Sequence, residues 1–343
     1  MKKLVALVLA GATMLMTGCG STQTAETDAY KGQTLKFYNW GEYVGENVVA
    51  DFEKQYGCKV ISEYFDSNEM MYTKLQAGDA YDVIVPSDYM IERMKKEDML
   101  QPLDKDKIPN LSKLTDKMSC DFDPDHEYSV PYFWGNVGLV YNKTKVSKDE
   151  IEAKGWDILQ DTKYKDSIYV YDSERDAFMV AFKALGYSMN TDKEEEIKAA
   201  SQWLKTVNDT MGPVYVTDEV IDSMSNGAKD IAVVYSGDAA YILDQNEDMA
   251  YCQPEQGTNV WTDAMVIPKN AENPELANVF INFILEDKES LDNSQTVGYA
   301  SSNQNVLDEL SEGDYAENEA YLPRSGYDKD EYFHDNETLR AKL

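Results

Sequence analysis

Apolar and polar positions in the first third of this chain alternate between two periods. Leu35 and Phe37, two residues apart, open a strand. In VGENVVADFEKQYG, Val48, Val49, Phe52 and Tyr56 recur at helical spacing and Gly57 follows as a C-cap. A strand over 59–65, a helix over 69–76, the strand YDVIV and a helix over 90–99 complete a β-α-β-α-β-α order. That order predicts a parallel sheet with right-handed crossovers. A second alternating block spans 151–251, with the strand IYVY, a helix over 176–185, an acidic helix over 193–207 and the strand IAVVY. Over 273–285, Leu276, Val279, Phe280 and Phe283 share one helical face. The acidic C-terminal stretch carries Leu310, Tyr315, Tyr321, Leu322, Tyr327 and Phe333, so it is expected to pack on the body.

Five of the strand-like runs end in an aromatic residue and a carboxylate: segments 37–43, 82–89, 167–176, 230–238 and 259–268. Open α/β sheets bind ligands beyond the carboxyl ends of their strands. Ring faces attract cations and carboxylates pair with them, so the pattern suits an organic cation. Each segment also has a plainer reading. Ser87 or Asp88 can cap the following helix, Ser173 and Asp176 have capping-box spacing, Ser236 and Asp238 can cap or turn, and Trp40 and Trp261 can be core. The five together are harder to explain that way, because a two-lobed fold brings such strand ends to one cleft.

The N-terminus reads as a secretory signal: two lysines, an apolar stretch too short to span a membrane, then small residues. Met16-Thr17-Gly18-Cys19 resembles a bacterial lipobox, with Met16 where leucine is usual and Cys19 as the acylated new N-terminus. The following polar stretch, residues 19–32, reads as a flexible tether. The protein is therefore expected outside the cytoplasm, lipid-anchored to a membrane through Cys19. Its net charge of −31 argues against nucleic-acid partners and favours cations over anions. The cysteines after Cys19, namely Cys58, Cys120 and Cys252, allow at most one disulfide and fit no metal spacing. The two histidines, His126 and His334, are too isolated for a usual zinc site. Phosphate-binding, dinucleotide-binding and nucleophile-elbow motifs are absent, and neither histidine lies in a triad motif. Asp121, Asp123 and Asp125 begin a calcium-like run, but His126 replaces the turn glycine and Tyr132 the closing glutamate, so it reads as a surface turn. No catalytic residue, cofactor or metal is expected.

NWGEYV, SNEMMYTKLQAGDAYDVIVPSDYMIERM, VPYFWGNVGLVYN, SERDAFMVAFKALGYSMNT, WTDAMVIP and VGYASSN, in that order over about residues 33–305, resemble the spermidine/putrescine-binding proteins of ABC importers. The resemblance implies a type II periplasmic-binding-protein fold, two α/β lobes closing over a polyamine. It implies lobe 1 from 33–138 with 261–305 and lobe 2 from 139–260 with 306–343, after a signal peptide over 1–18. It implies a monomer that hands its ligand to ABC permease subunits. By position it marks Trp40, Tyr43, Ser87, Tyr89, Asp176, Tyr235, Trp261, Asp263 and Tyr299 as ligand-binding, with Asp176 and Asp263 as the amine anchors. Glu42, Asp88, Asp172, Ser173, Glu174 and Asp238 rank as supporting or further contacts. Ser173 stands where some spermidine binders have an acid, and Asp88 where a neutral residue is common. Three other readings remain: a carrier for another organic cation or an amino acid, an anchored hydrolase with two placed carboxylates, and a structural surface lipoprotein.

Overall fold

The computed structural model describes residues 29–118 and 120–340; the signal segment, Cys19 and the first part of the tether lie outside them. Among the described residues are ten strands: β1 Thr34–Trp40, β2 Lys59–Phe65, β3 Val83–Ile84, β4 Ser129–Asn142, β5 Ile168–Tyr171, β6 Val214–Val216, β7 Ile231–Tyr235, β8 Met249–Cys252, β9 Val260–Val266 and β10 Ala300–Ser301. They join in the order β2-β1-β3-β9-β4-β7-β5-β6, with β8 and β10 also on β4.

The two alternating blocks form two parallel groups. β1 pairs parallel with β2 and β3, and β5 pairs parallel with β6 and β7. Between them the parallel expectation gives way. β9 runs antiparallel to β3 and β4, and β4 runs antiparallel to β7 and β8. β8 and β9 therefore run in the same direction, as successive segments along β4 separated by the loop 253–259. The first half of β4 pairs with β9 up to Asn136, and from Val137 it pairs with β7. Two α/β halves are thus joined by β4, which spans both, and by the segment that runs from β8 to β9.

Helix Val48–Tyr56 buries Val48, Phe52 and Tyr56, leaves Val49 half-buried, and ends at Gly57 in the left-handed region, φ 67°. Several helix ends differ from the periodicity. Helix Asp88–Lys96 begins directly after β3 and its short link, and helix Glu194–Met211 runs on until Gly212 turns left-handed at φ 58°. Helix Glu174–Ala184 is capped by Ser173, whose Oγ accepts from the Asp176 N–H at 3.3 Å.

The C-terminal stretch packs on the body, but not on one half alone. Leu310 lies in a cluster with Met118, Trp134 and Ala300, whereas Asn318 Nδ2 donates to the Ala240 carbonyl at 2.9 Å. Phe333 is buried beside Tyr89, and His334 Nδ1 lies 2.8 Å from Glu92. The calcium-like run is a turn held from within. Asp123 is buried, accepts from the Tyr128 and Ser129 N–H groups, and pairs with Lys95 at 2.9 Å. The three cysteines are free thiols, Cys58 and Cys252 buried. Among the described residues no helix is long and apolar enough to cross a membrane.

Candidate ligand-binding site

The ends of β1, β5 and β7, the link after β3, and the crossing strand β9 meet where the two halves face each other. Four carboxyl groups lie there. Asp263, on β9, accepts from Tyr43 Oη at 2.9 Å through Oδ2 and from Ser87 Oγ at 2.6 Å through Oδ1. Ser87 is itself held by Asn68, whose Nδ2 donates to Oγ at 3.0 Å and whose Oδ1 accepts the Ser87 N–H at 3.1 Å. Asp176, in the first turn of helix Glu174–Ala184, accepts from Tyr235 Oη at 2.5 Å and from Asn259 Nδ2 at 3.3 Å. Asp238, in the first turn of the helix after β7, accepts from Tyr299 Oη at 3.1 Å. Asp88 differs from these, since its oxygens take the Tyr89 and Thr262 backbone N–H groups at 2.7 and 3.1 Å. It ties the loop after β3 to β9.

A row of rings connects the first two carboxylates. Tyr43 touches Tyr299 edge-on at 5.8 Å between centroids, Tyr299 meets Trp261 at 5.1 Å, and Trp261 meets Tyr235 at 6.1 Å. Tyr171 extends the row, 4.6 Å from Tyr235. Two glycines seat it. A Cβ at Gly237 would lie 2.5 Å from the Tyr299 ring, and one at Gly135 would lie 2.6 Å from the Trp261 ring. Trp40 stands at the end of β1, its Nε1 donating to the Val85 carbonyl at 2.9 Å and its ring against Phe65.

Burial sets the charge states. It raises the Asp263 carboxyl to about 6, against the hydroxyls of Ser87 and Tyr43, which favour the anion. It raises Asp238 to about 7 and Asp88 to about 8. Asp176 is also raised by burial, which the bonds from Tyr235 and Ser173 oppose. The phenols of Tyr43, Tyr235 and Tyr299 are pushed well above the usual range by burial and by the neighbouring carboxylates, so they stay neutral donors. A buried carboxylate with only neutral donors around it favours a cation.

Other expected residues sit differently. The Tyr89 ring is covered by the Arg175 guanidinium at 3.9 Å, and its hydroxyl donates to Glu69 Oε1 at 3.2 Å. Arg175 also pairs with Glu69 at 3.4 Å. Ser173 is a helix cap, while Glu42, Asp172 and Glu174 are exposed. Sequence reasoning missed Asn68, Asn259, Gly135, Gly237, Arg175 and Tyr171. Tyr171, Arg175, Gly237 and Asn259 stood inside segments already marked by their strand-end pattern, whereas Asn68 and Gly135 did not.

A family model described as bacterial extracellular solute-binding protein matches residues 47–323. The spermidine/putrescine-binding periplasmic protein of Salmonella typhimurium is 35% identical over 300 residues, 87% of this chain and 83% of that protein. Among solved structures, the spermidine/putrescine ABC transporter substrate-binding protein PotD of Streptococcus pneumoniae matches with a TM-score of 0.77 and 35% identity, covering 91% of this chain and 96% of its own. The TpPotD lipoprotein of Treponema pallidum matches at 0.75 and 27%, covering 90% and 96%. The fold is that of two-lobed periplasmic binding proteins.

Proposed function

We propose a function from one premise: this chain belongs to the bacterial extracellular solute-binding protein family. It binds a polyamine of the putrescine/spermidine class outside the cytoplasm and delivers it to the permease of an ABC importer. The observation that carries this reading is the pair of buried carboxylates, Asp263 and Asp176, joined by the row Tyr43, Tyr299, Trp261 and Tyr235. A polyamine has the matching form, with ammonium ends and an apolar middle. Each methylene buried against rings contributes roughly 0.8 kcal/mol. An ammonium over a ring face adds about 0.5–2 kcal/mol. Desolvating the ammonium is offset only where carboxylates and hydrogen bonds replace its water.

In this reading Asp263 and Asp176 are the anchors. Trp40, Tyr43, Tyr235, Trp261 and Tyr299 are the walls. Ser87 orients Asp263, and Tyr89 lies at the rim. Residues 33–138 with 261–305 form one lobe and 139–260 with most of 306–343 the other. The changeover of β4 at Asn136 supports that division. The protein acts as a monomer, and its chemistry is binding, with no catalytic step. The lipobox-like run ending at Cys19 supports a lipid anchor, which acyl labelling lost in Cys19→Ala would test.

A thermal-shift panel tests the reading. Putrescine, cadaverine, spermidine or spermine should raise the melting temperature at millimolar ligand, and neutral or zwitterionic amino acids should not. A shift with amino acids alone would favour a different carrier.

A further inference from the structure

The Asp176 end of the ring row holds a second polar group that the anchor role leaves unused. Asn259 immediately precedes β9 and is 2% exposed. Its Nδ2 donates to Asp176 Oδ1 at 3.3 Å. A carboxylate only accepts, so the amide nitrogen is the atom that faces it, and the amide oxygen takes no bond from it. That oxygen, Oδ1, is buried and has no hydrogen-bond partner. Its position is fixed by the backbone. The Asn259 carbonyl lies 3.4 Å from the Val137 N–H, and Asn259 forms a bridge with Glu331. Native folds rarely leave a buried acceptor unpaired without a reason, and a ligand donor is one.

We infer that Asn259 is a ligand contact: its Oδ1 accepts a hydrogen bond from the ammonium held by Asp176, making this end of the cleft specific for an unsubstituted primary ammonium. The inference rests on the polyamine reading above. A primary ammonium carries three N–H donors. At this end they meet three acceptors: the Asp176 carboxylate, Asn259 Oδ1, and the Tyr235 phenol oxygen, whose own proton goes to Asp176. A tertiary ammonium keeps the charge but has one N–H, which the carboxylate takes. Asn259 therefore reads the number of donors, while Asp176 reads the charge.

The test is a calorimetric titration of putrescine and of N,N,N′,N′-tetramethylputrescine, which is tertiary at both ends and so cannot evade the test by reversing. Asn259→Leu is expected to weaken putrescine roughly tenfold, the loss of one hydrogen bond to a charged group, and to change tetramethylputrescine by less than about twofold. Asn259→Ser, a smaller and polar replacement that also lacks the amide oxygen, should show the same selective loss and covers the case in which the leucine variant fails to fold. Equal losses for both ligands would make Asn259 a positioning residue for Asp176 and overturn the inference. Unchanged putrescine affinity would overturn it as well. Wild-type protein that binds no polyamine would overturn the functional reading, and this inference with it.

Discussion

Single side chains carry the chemistry of the cleft, and what they do depends on neighbours that a linear reading does not reveal. The aromatic and acidic positions were legible because rings and carboxylates at strand ends are chemically conspicuous. Their supports were not. Gly237 lacks a side chain, and its role exists only because the Tyr299 ring packs where a Cβ would stand, at 2.5 Å. Gly237→Ala should therefore displace Tyr299, weakening both its contact with Trp261 and its bond to Asp238. Polyamine affinity should fall about fivefold or more by calorimetry, with the melting temperature of the ligand-free protein lowered by only a few degrees. Affinity equal to wild type would remove Tyr299 from the wall. Asn259 was hidden for a related reason: a neutral amide in front of an apolar strand carries no signal until folding sets it against Asp176. Asp238 shows the converse case. Capping chemistry accounts for its place in a first helical turn, but not for its bond to Tyr299 in the middle of the ring row.

At the scale of elements, periodicity found the strands and helices of the first block but, in the second, missed β6, β8 and the helices Glu219–Ser225 and Ser236–Gln245. It could not give the antiparallel course of β4 and β9, because hydrophobic pattern is blind to strand direction and only the length of the connection reports it. Two helix N-termini have a shared design. The helix Asn68–Gln76 carries Asn68, which holds Ser87 against Asp263, and next to it Glu69. The helix Glu174–Ala184 carries Asp176 and next to it Arg175. Glu69 and Arg175 pair across the two halves at 3.4 Å, with Arg175 lying between the Tyr89 and Phe333 rings at 3.9 and 5.2 Å. Each half thus places a proposed anchor, or a residue that supports one, beside a contact between the halves. Arg175→Ala should raise the ligand's dissociation rate about three- to tenfold in stopped-flow fluorescence, the worth of a cation–π contact and a part-exposed pair. An unchanged rate would mean that this bridge does not hold the two halves together over the ligand.

For the whole molecule, the acidity visible in composition takes on a definite pH behaviour. In the unfolded chain these aspartates titrate near 4. In the folded protein burial raises Asp263 to about 6, Asp238 to about 7 and Asp88 to about 8, and raises Asp176 too. Folding without ligand therefore takes up protons. The stability from this source is full below the unfolded values and is lost as pH rises through the folded ones. A bound polyamine favours the ionised carboxylates and reverses the trend. The melting temperature without ligand should fall between pH 5 and 8, and the gain on adding spermidine should grow over the same range. A gain independent of pH would separate binding from these carboxylates.

The two-lobed architecture was legible only through several motifs agreeing in order, since no local pattern specifies how two halves face each other. The claim that the facing halves grip a polyamine between Asp176 and Asp263 is tested most directly by isothermal titration at pH 7.5. Putrescine or spermidine would be titrated into wild type, Asp176→Asn and Asp263→Asn, each first shown to fold by circular dichroism. The account predicts a saturable one-to-one complex with wild type and at least a tenfold loss of affinity in each variant, because each removes the partner of a buried ammonium. Wild-type affinity in either variant, or no binding of any polyamine to the wild type, would contradict it.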